Sequence, residues 1–313
     1  MSQREDTSTL RSEQHADTPH AMNTSSHSST ESNPAEQSAE RGWIRGIVLT
    51  STIVGALWLG STLSNRMIDV CGEPAGCVTL ATSKTSAILT LGAVMILLTI
   101  LAMIAGRLVN AVVGVFVLGA GLAGLTLRSA SIAGAIFGGA SLPSLAIETM
   151  IWVVPSAISV VLIFRFSGSP PDIAQRFPGE SMWKEYFDSD ALRGAITGVL
   201  LPLIAWLVIR TMSKGQAFGG ACIGGIAVGI AFRLFAPNVQ PILAFISPIL
   251  LAGGYQLFVA SRMTGDIGTL FAINALPPEL RMMPLDVVAG SLTGVAIGIG
   301  WARSFRRSDT ITS

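Results

Sequence analysis

This sequence predicts an all-α, polytopic helical membrane protein of about eight transmembrane helices, and three observations predict it. Only 12% of the 313 residues are charged, 50% are hydrophobic, and mean hydropathy is +0.60. Soluble domains carry roughly 25% charged residues, so the charge that a water-facing surface needs is missing, whereas a lipid-facing surface needs none. Apolar runs long enough to cross a bilayer, about 20 residues each, follow one another from Ile47 to Trp301. A stretch of the first half also recurs in the second, which is the mark of an internal repeat.

The amino end is of different composition. Residues 1–42 are dominated by Ser, Thr, Glu, Gln, Asp and Asn, and Leu10 is the one large aliphatic residue before Ile44. Such a stretch buries too little apolar area to offset its ordering entropy, so a disordered cytoplasmic tail is expected. No apolar core of a secretory signal precedes Ile44. All three histidines (His15, His20, His27) fall in this tail, and there they read as solvated polar residues rather than metal ligands.

The first span is Ile47–Leu63, entered through Arg41, Trp43 and Arg45. Ser86–Ile104 and Leu108–Leu127 form a tight hairpin around Arg107. Met150–Phe166 is the fourth span, with a kink expected at Pro155. Together these define a first four-helix unit, 43–166. The connector 167–191 carries Met182, Trp183, Tyr186 and Phe187 at helical spacing among charges, the pattern of a short amphipathic helix lying on headgroups. The second unit, 192–302, holds Gly194–Ile209 with Pro202, then Ala217–Phe235, Ile242–Ala260 and Leu285–Trp301. A basic tail, 303–313, closes the chain. Residues 129–147 and 263–284 are read as interfacial or re-entrant connectors on one face. The second of them holds Asp266, Glu279, Arg281 and three prolines, which is too polar to span.

Orientation follows from Lys and Arg in the short loops. The face holding both termini has eleven, from Arg41 to Arg307; the other has seven: Arg66, Lys84, Arg128, Arg210, Lys214, Arg262 and Arg281. Both ends are therefore expected in the cytoplasm of a cell whose plasma or inner membrane the chain crosses. Cys71 and Cys77 flank a five-residue Gly- and Pro-containing turn in the first external loop, so a disulfide between them is expected there. Cys222, inside the sixth span, reads as a packing residue.

The repeat places Arg128–Ile163 over Arg262–Ile297 at an offset of 134 without a gap. Nine of 36 positions are identical: Arg128, Gly134, Phe137, Leu142, Pro143, Val153, Val154, Val161 and Ile163 with their counterparts. Four spans per unit is an even number, so the units enter from the same face and form parallel repeats about a pseudo-two-fold along the membrane normal.

The spans offer little catalytic chemistry. Glu148 and Asp286, at the entrances of the fourth and eighth, are the candidate functional polar residues, since an acid at membrane depth is a functional candidate by default; helix capping competes as their role. With no histidine after His27, no Ser-His dyad and no haem or zinc site is expected in the membrane region. No phosphate-binding Gly-x-x-x-x-Gly-Lys loop occurs, no enzyme constellation is found and no cofactor is called for. The near-zero net charge of +1 argues against nucleic acid as a partner, leaving the lipid bilayer. Gly290, Gly294 and Gly298, together with Gly220/Gly224 and Gly225/Gly229, predict close helix packing inside the bundle. The expected function is a small-solute permease or channel-like protein with its site between the repeats. The alternative is a non-transporting scaffold or sensor that binds partners through the tail and connector. A polar crevice between the halves favours the first, and a dry Leu/Gly-packed core the second.

Overall fold

A segment that crosses lipid satisfies its backbone hydrogen bonds most cheaply as a helix, and the regular elements among the described residues are built that way. A computed structural model describes residues 34–167 and 189–307, and every regular element in them is helical. The chain divides into two units, Met1–Arg41 and Gly42–Ser313. In chain order the elements are α1 (Pro34–Ser64), α2 (Lys84–Leu108), α3 (Ala111–Thr126), α4 (Ile132–Phe137), α5 (Leu142–Ile151) and α6 (Val153–Ser167). They continue with α7 (Ser189–Ala195), a 3₁₀ turn (Ile196–Val199), α8 (Leu200–Val208), α9 (Lys214–Phe235) and α10 (Ile242–Arg262). The last are α11 (Ile267–Ala272), a second 3₁₀ turn (Pro278–Arg281) and α12 (Pro284–Arg307).

Seven helical stretches are long and apolar enough to cross a membrane: Gly46–Ser64, Lys84–Leu108, Leu142–Ser167, Ser189–Val208, Lys214–Phe235, Ile242–Arg262 and Pro284–Arg303. The eighth expected span, α3, has 16 residues, about 24 Å at 1.5 Å per residue, which is less than the roughly 30 Å of a hydrocarbon core. It is short because it is enclosed by protein: nearly all of it, from Ala111 to Thr126, is buried. Among the spans, α12 is the most enclosed, with 83% of its apolar window buried against 11% for Gly46–Ser64 of α1. The centre of the bundle is therefore α3 and α12, and α1 lies at its edge.

Several boundaries differ from the sequence reading. Helix α1 begins at Pro34, inside the stretch expected to be disordered; proline suits the first helical turn, where its missing N–H would go unpaired anyway. The fourth span begins at Leu142 rather than Met150, because Ser141 caps it by accepting from the Ser144 N–H at 3.2 Å. It bends at Trp152, between α5 and α6, one turn before Pro155. Pro155 cannot donate to the Ile151 carbonyl and its ring crowds that group, so the kink falls where the sequence puts it. The 3₁₀ turn at Ile196–Val199 precedes Pro202 for the same reason. Helix α12 runs on to Arg307, past the expected start of a separate tail. The three histidines and the Met182–Phe187 segment lie outside the described residues.

Glycine decides which helices meet. A methyl group added at Gly294 or Gly298 would overlap the carbonyl oxygens of Cys222 or Ile226 on α9, so α9 and α12 touch backbone to backbone, as the sequence predicts. Gly119 lets α3 approach Thr293 of α12, and Gly60 and Gly124 do the same for α1 against α3. The most extensive contacts between the two four-helix stretches are α3 on α12 and α5 on α10 at Gly253, which faces Met150 and Thr149; α6 on α10 and α5 on α12 add to them.

The two connectors close alike. In the first, Ala140 N–H donates to Ala135 O at 3.0 Å and Gly139 N–H to Ile136 O at 3.1 Å; in the second, Ala275 N–H donates to Leu270 O at 2.8 Å and Asn274 N–H to Phe271 O at 3.0 Å. These are paired Schellman turns, and Gly139 (φ 79°) and Asn274 (φ 56°) take the left-handed position in each. The structural offset here is 135, one more than the sequence offset. The two connectors touch through Phe137 and Phe271, whose rings meet edge to face at 5.5 Å.

Candidate functional site

Buried charge gathers at the end of the bundle that carries both connectors. Asp286 is the third residue of α12 and is fully buried. Its Oδ2 accepts from the Met283 N–H at 3.0 Å, half of a capping box, and the helix N-terminus favours its charge. Oδ1 accepts from the Thr126 hydroxyl at 2.7 Å and faces Lys214 Nζ at 3.2 Å. Lys214 also donates to the Ala130 carbonyl at 3.0 Å. As the first residue of α9, Lys214 sits at the wrong end of a helix dipole for a cation, so it depends on Asp286. One carboxylate thereby ties α3, the first connector, α9 and α12 together across the seam between the two four-helix stretches.

Glu148 is not at a helix entrance. It lies at the end of the second turn of α5, 6% exposed, and reaches across to the first loop. Oε1 accepts from the Val78 N–H at 2.7 Å; Oε2 accepts from the Thr79 N–H at 2.9 Å and the Thr79 hydroxyl at 2.6 Å. Among the described residues no basic side chain forms an ion pair with it. The sequence thus singled out two acids that both bind loop or helix-end N–H groups, by different geometries and on different sides of the seam.

A third polar group was not singled out by sequence. Gln256 of α10 donates to the carbonyls of Glu279 (2.9 Å) and Met282 (3.3 Å) and accepts from the Thr149 hydroxyl of α5 at 3.1 Å. Arg281 spends its donors on carbonyls: Nε and one terminal nitrogen on Leu276 at 2.9 and 2.7 Å, and the others on Asn274 (3.1 Å) and Arg210 (2.7 Å). Burial pushes its guanidinium below the usual arginine value, and nearby Glu279 opposes that. Glu279 is itself buried, with Oε2 lacking a protein hydrogen bond. The only sequence clue to this group is an amide in an otherwise apolar span, together with charges in a connector that chain polarity alone assigns to water.

The cysteine pair differs from expectation. Cys71 and Cys77 are free thiols, the first exposed and the second buried. Hydrogen bonds hold their loop instead. The buried Asp69 carboxylate accepts from the N–H groups of Cys71 (2.8 Å) and Glu73 (2.9 Å), and Ala130 N–H donates to Pro74 O at 2.7 Å. Burial, with Glu148 nearby, pushes the Cys77 thiol up to about 12. Among the described residues no group of three or more His, Cys, Asp or Glu could hold a metal ion.

Two large openings lie on the outer flanks of the spans. One, of about 460 Å³, runs between α2 and α5–α6 with Glu148 at its end. The other, of about 650 Å³, lies between α8 and α10 beside Trp206 and Tyr255. No protein-family model, no curated protein and no solved structure matches the chain.

Proposed function

We propose that this chain is a small-solute permease or channel-like membrane protein, built from two parallel four-helix repeats and closed at the connector end. The observation that carries the proposal is the Lys214–Asp286 pair, its carboxylate fully buried and its lysine half-buried, placed where the second four-helix stretch meets Thr126 and Ala130 of the first. Buried ion pairs are weak stabilisers, since desolvation offsets much of their attraction. At membrane depth such groups are expensive, and line substrate or ion pathways when they occur. Each member of the pair also holds the first stretch, Asp286 through the Thr126 hydroxyl of α3 and Lys214 through the Ala130 carbonyl of the first connector, and releasing those two bonds is what opening the seam requires. The duplication draws support from the matching connector turns, the Phe137–Phe271 contact and the exchange of packing partners, α3 on α12 and α5 on α10.

The test reconstitutes the protein in liposomes and follows osmotic re-swelling with a panel of small neutral and charged solutes. At least one solute should enter faster than in protein-free vesicles, and a cross-link between Phe137→Cys and Phe271→Cys should stop it. If every solute enters at the protein-free rate, the permease reading fails. The second reading, a non-transporting scaffold or sensor, would then stand on the dry, glycine-sealed α9–α12 contact. Its proposed docking segments, the amino-terminal tail and the central connector, lie outside the described residues. The charge asymmetry of the loops orients both termini to the cytoplasm. A reporter active only outside the cytoplasm, fused after Ser313, should stay silent; a strong signal would invert this topology.

A further inference from the structure

We propose that the groove between α2 and α5–α6 is a binding site for lipophilic monocations, with Glu148 as its anionic end. The groove is a consequence of the kink. Below it α2 and α6 are in contact: the Thr99 hydroxyl donates to Ser159 at 2.8 Å, and Arg107 donates to the Phe166 carbonyl at 3.3 Å. Above Trp152, α5 leans away to meet α10, and a wedge of about 460 Å³ opens between α2 and α5. That volume lies within the roughly 300–1,000 Å³ of small-molecule sites.

Its walls are one face of each helix. Ile88, Leu91, Gly92 and Met95 of α2 lie three and four residues apart, as do Ile147, Glu148, Ile151, Trp152 and Pro155 of the kinked helix. Gly92 leaves the floor open, since nothing lies within 4 Å of where its side chain would start. The rim of the groove is exposed, with Ile88 and Ile151 about 60% accessible, while Leu91, Met95 and Trp152 lie in its buried depth, so a ligand enters sideways from the bilayer.

Charge complementarity selects the occupant. A carboxylate offers about four acceptor positions, and Val78 and Thr79 fill three of those on Glu148. Its charge is hydrogen-bonded but has no ion-pair partner among the described residues. No basic side chain lines the groove, so it provides nothing to hold the phosphate of a zwitterionic lipid and it repels anions. Trp152, one turn below Glu148, lines the same space and adds an indole, the ring that best attracts cations. An apolar body carrying a single positive charge satisfies all of these features. The proposal is independent of transport through the seam, because binding alone tests it.

The experiment measures equilibrium binding of radiolabelled tetraphenylphosphonium to the full chain purified in an uncharged detergent. Saturable one-to-one binding is expected, displaced by tetrapentylammonium and unaffected by phosphatidylethanolamine. Glu148→Gln should weaken it by roughly tenfold or more, the equivalent of about 1.4 kcal/mol. Because Glu148 also holds the 78–79 loop, that variant risks misfolding. At Gly92 the first side-chain carbon meets nothing within 4 Å, so Gly92→Leu puts its branched end into the groove and leaves the Glu148 hydrogen bonds in place; it should abolish binding while leaving the elution profile unchanged. Unchanged affinity in Gly92→Leu overturns the proposal, as does equal binding of the tetraphenylborate anion. Displacement by phosphatidylethanolamine would also overturn it, by making the groove a lipid-headgroup site.

Discussion

The Lys214–Asp286 pair makes the most demanding prediction, because its geometry fixes a sign and a size. Asp286→Ala removes the counter-ion of an ammonium whose side chain is 15% exposed and leaves it the Ala130 carbonyl as partner. It also strips acceptors from the Thr126 hydroxyl and the Met283 N–H. Breaking a buried pair from one side costs about 3–5 kcal/mol, and this change should fall in that range. Lys214→Met should cost less, about 3 kcal/mol, since Asp286 keeps two donors and the favourable end of α12. With both residues replaced by apolar ones, no uncompensated charge remains, so the double variant should be more stable than the sum of the singles implies, by about 0.5–3 kcal/mol. The assay is titration with a denaturing detergent in mixed micelles, followed by tryptophan fluorescence. Two singles that each cost under about 1 kcal/mol and simply add would mean that water reaches the pair. The seam would then be open at rest rather than closed at the connector end.

Two further predictions concern the loop and the glycines. Cys71 should alkylate quickly in the native protein and Cys77 only on unfolding, because one is exposed and the other buried with its thiol raised to about 12. The native state holds the Cys77 proton above pH 9, where the unfolded chain releases it. Stability should therefore fall as pH rises from about 9 towards 12, by up to about 1.4 kcal/mol per pH unit; Cys77→Ala should flatten that part of the curve measured by thermal melting. Gly294→Ala should destabilise by about 1–3 kcal/mol, since its methyl meets the Cys222 carbonyl. Gly55→Ala meets nothing within 4 Å and should instead stabilise by about 0.5–1 kcal/mol. Equal effects at the two positions, read from melting midpoints, would mean that α12 and α9 are not in backbone contact.

What the sequence discloses here is the part governed by one-dimensional rules. Span existence follows from hydropathy, the kink near Trp152 from Pro155, and the α9–α12 contact from the four-residue spacing of Gly290, Gly294 and Gly298. The polar cluster escapes such rules because its partners are far apart in the chain. Thr126 and Asp286 are separated by 160 positions, and Glu148 and Val78 by 70. Lys214 reads as a loop charge and Arg281 as proof of a water-exposed connector, yet folding half-buries the first against a carboxylate and a carbonyl and buries the second against carbonyls. The cysteine pair is a separate case. Spacing made a disulfide reachable, but Asp69 gives the loop enough hydrogen bonds to close without one, and Cys77 turns inward.

The difference between the two four-helix stretches then follows from side-chain size on corresponding helices. In the second, α9 presents Gly225 and Gly229 to α12, which answers with Gly290, Gly294 and Gly298, and the two backbones seal against each other. In the first, α2 occupies the equivalent place in chain order but presents Leu91 and Met95, and the facing helix is broken at Trp152 before Pro155. Larger residues hold α2 off, the kink carries α5 to α10, and a groove remains where α9 and α12 leave none. Of the two acids that stood out in the sequence, the sealed side holds Asp286, paired with Lys214 and closed to the lipid. The open side holds Glu148, hydrogen-bonded but without a counter-ion among the described residues. Glycine on α9 and α12 seals the one contact, and larger residues on α2 together with the break before Pro155 leave the other open.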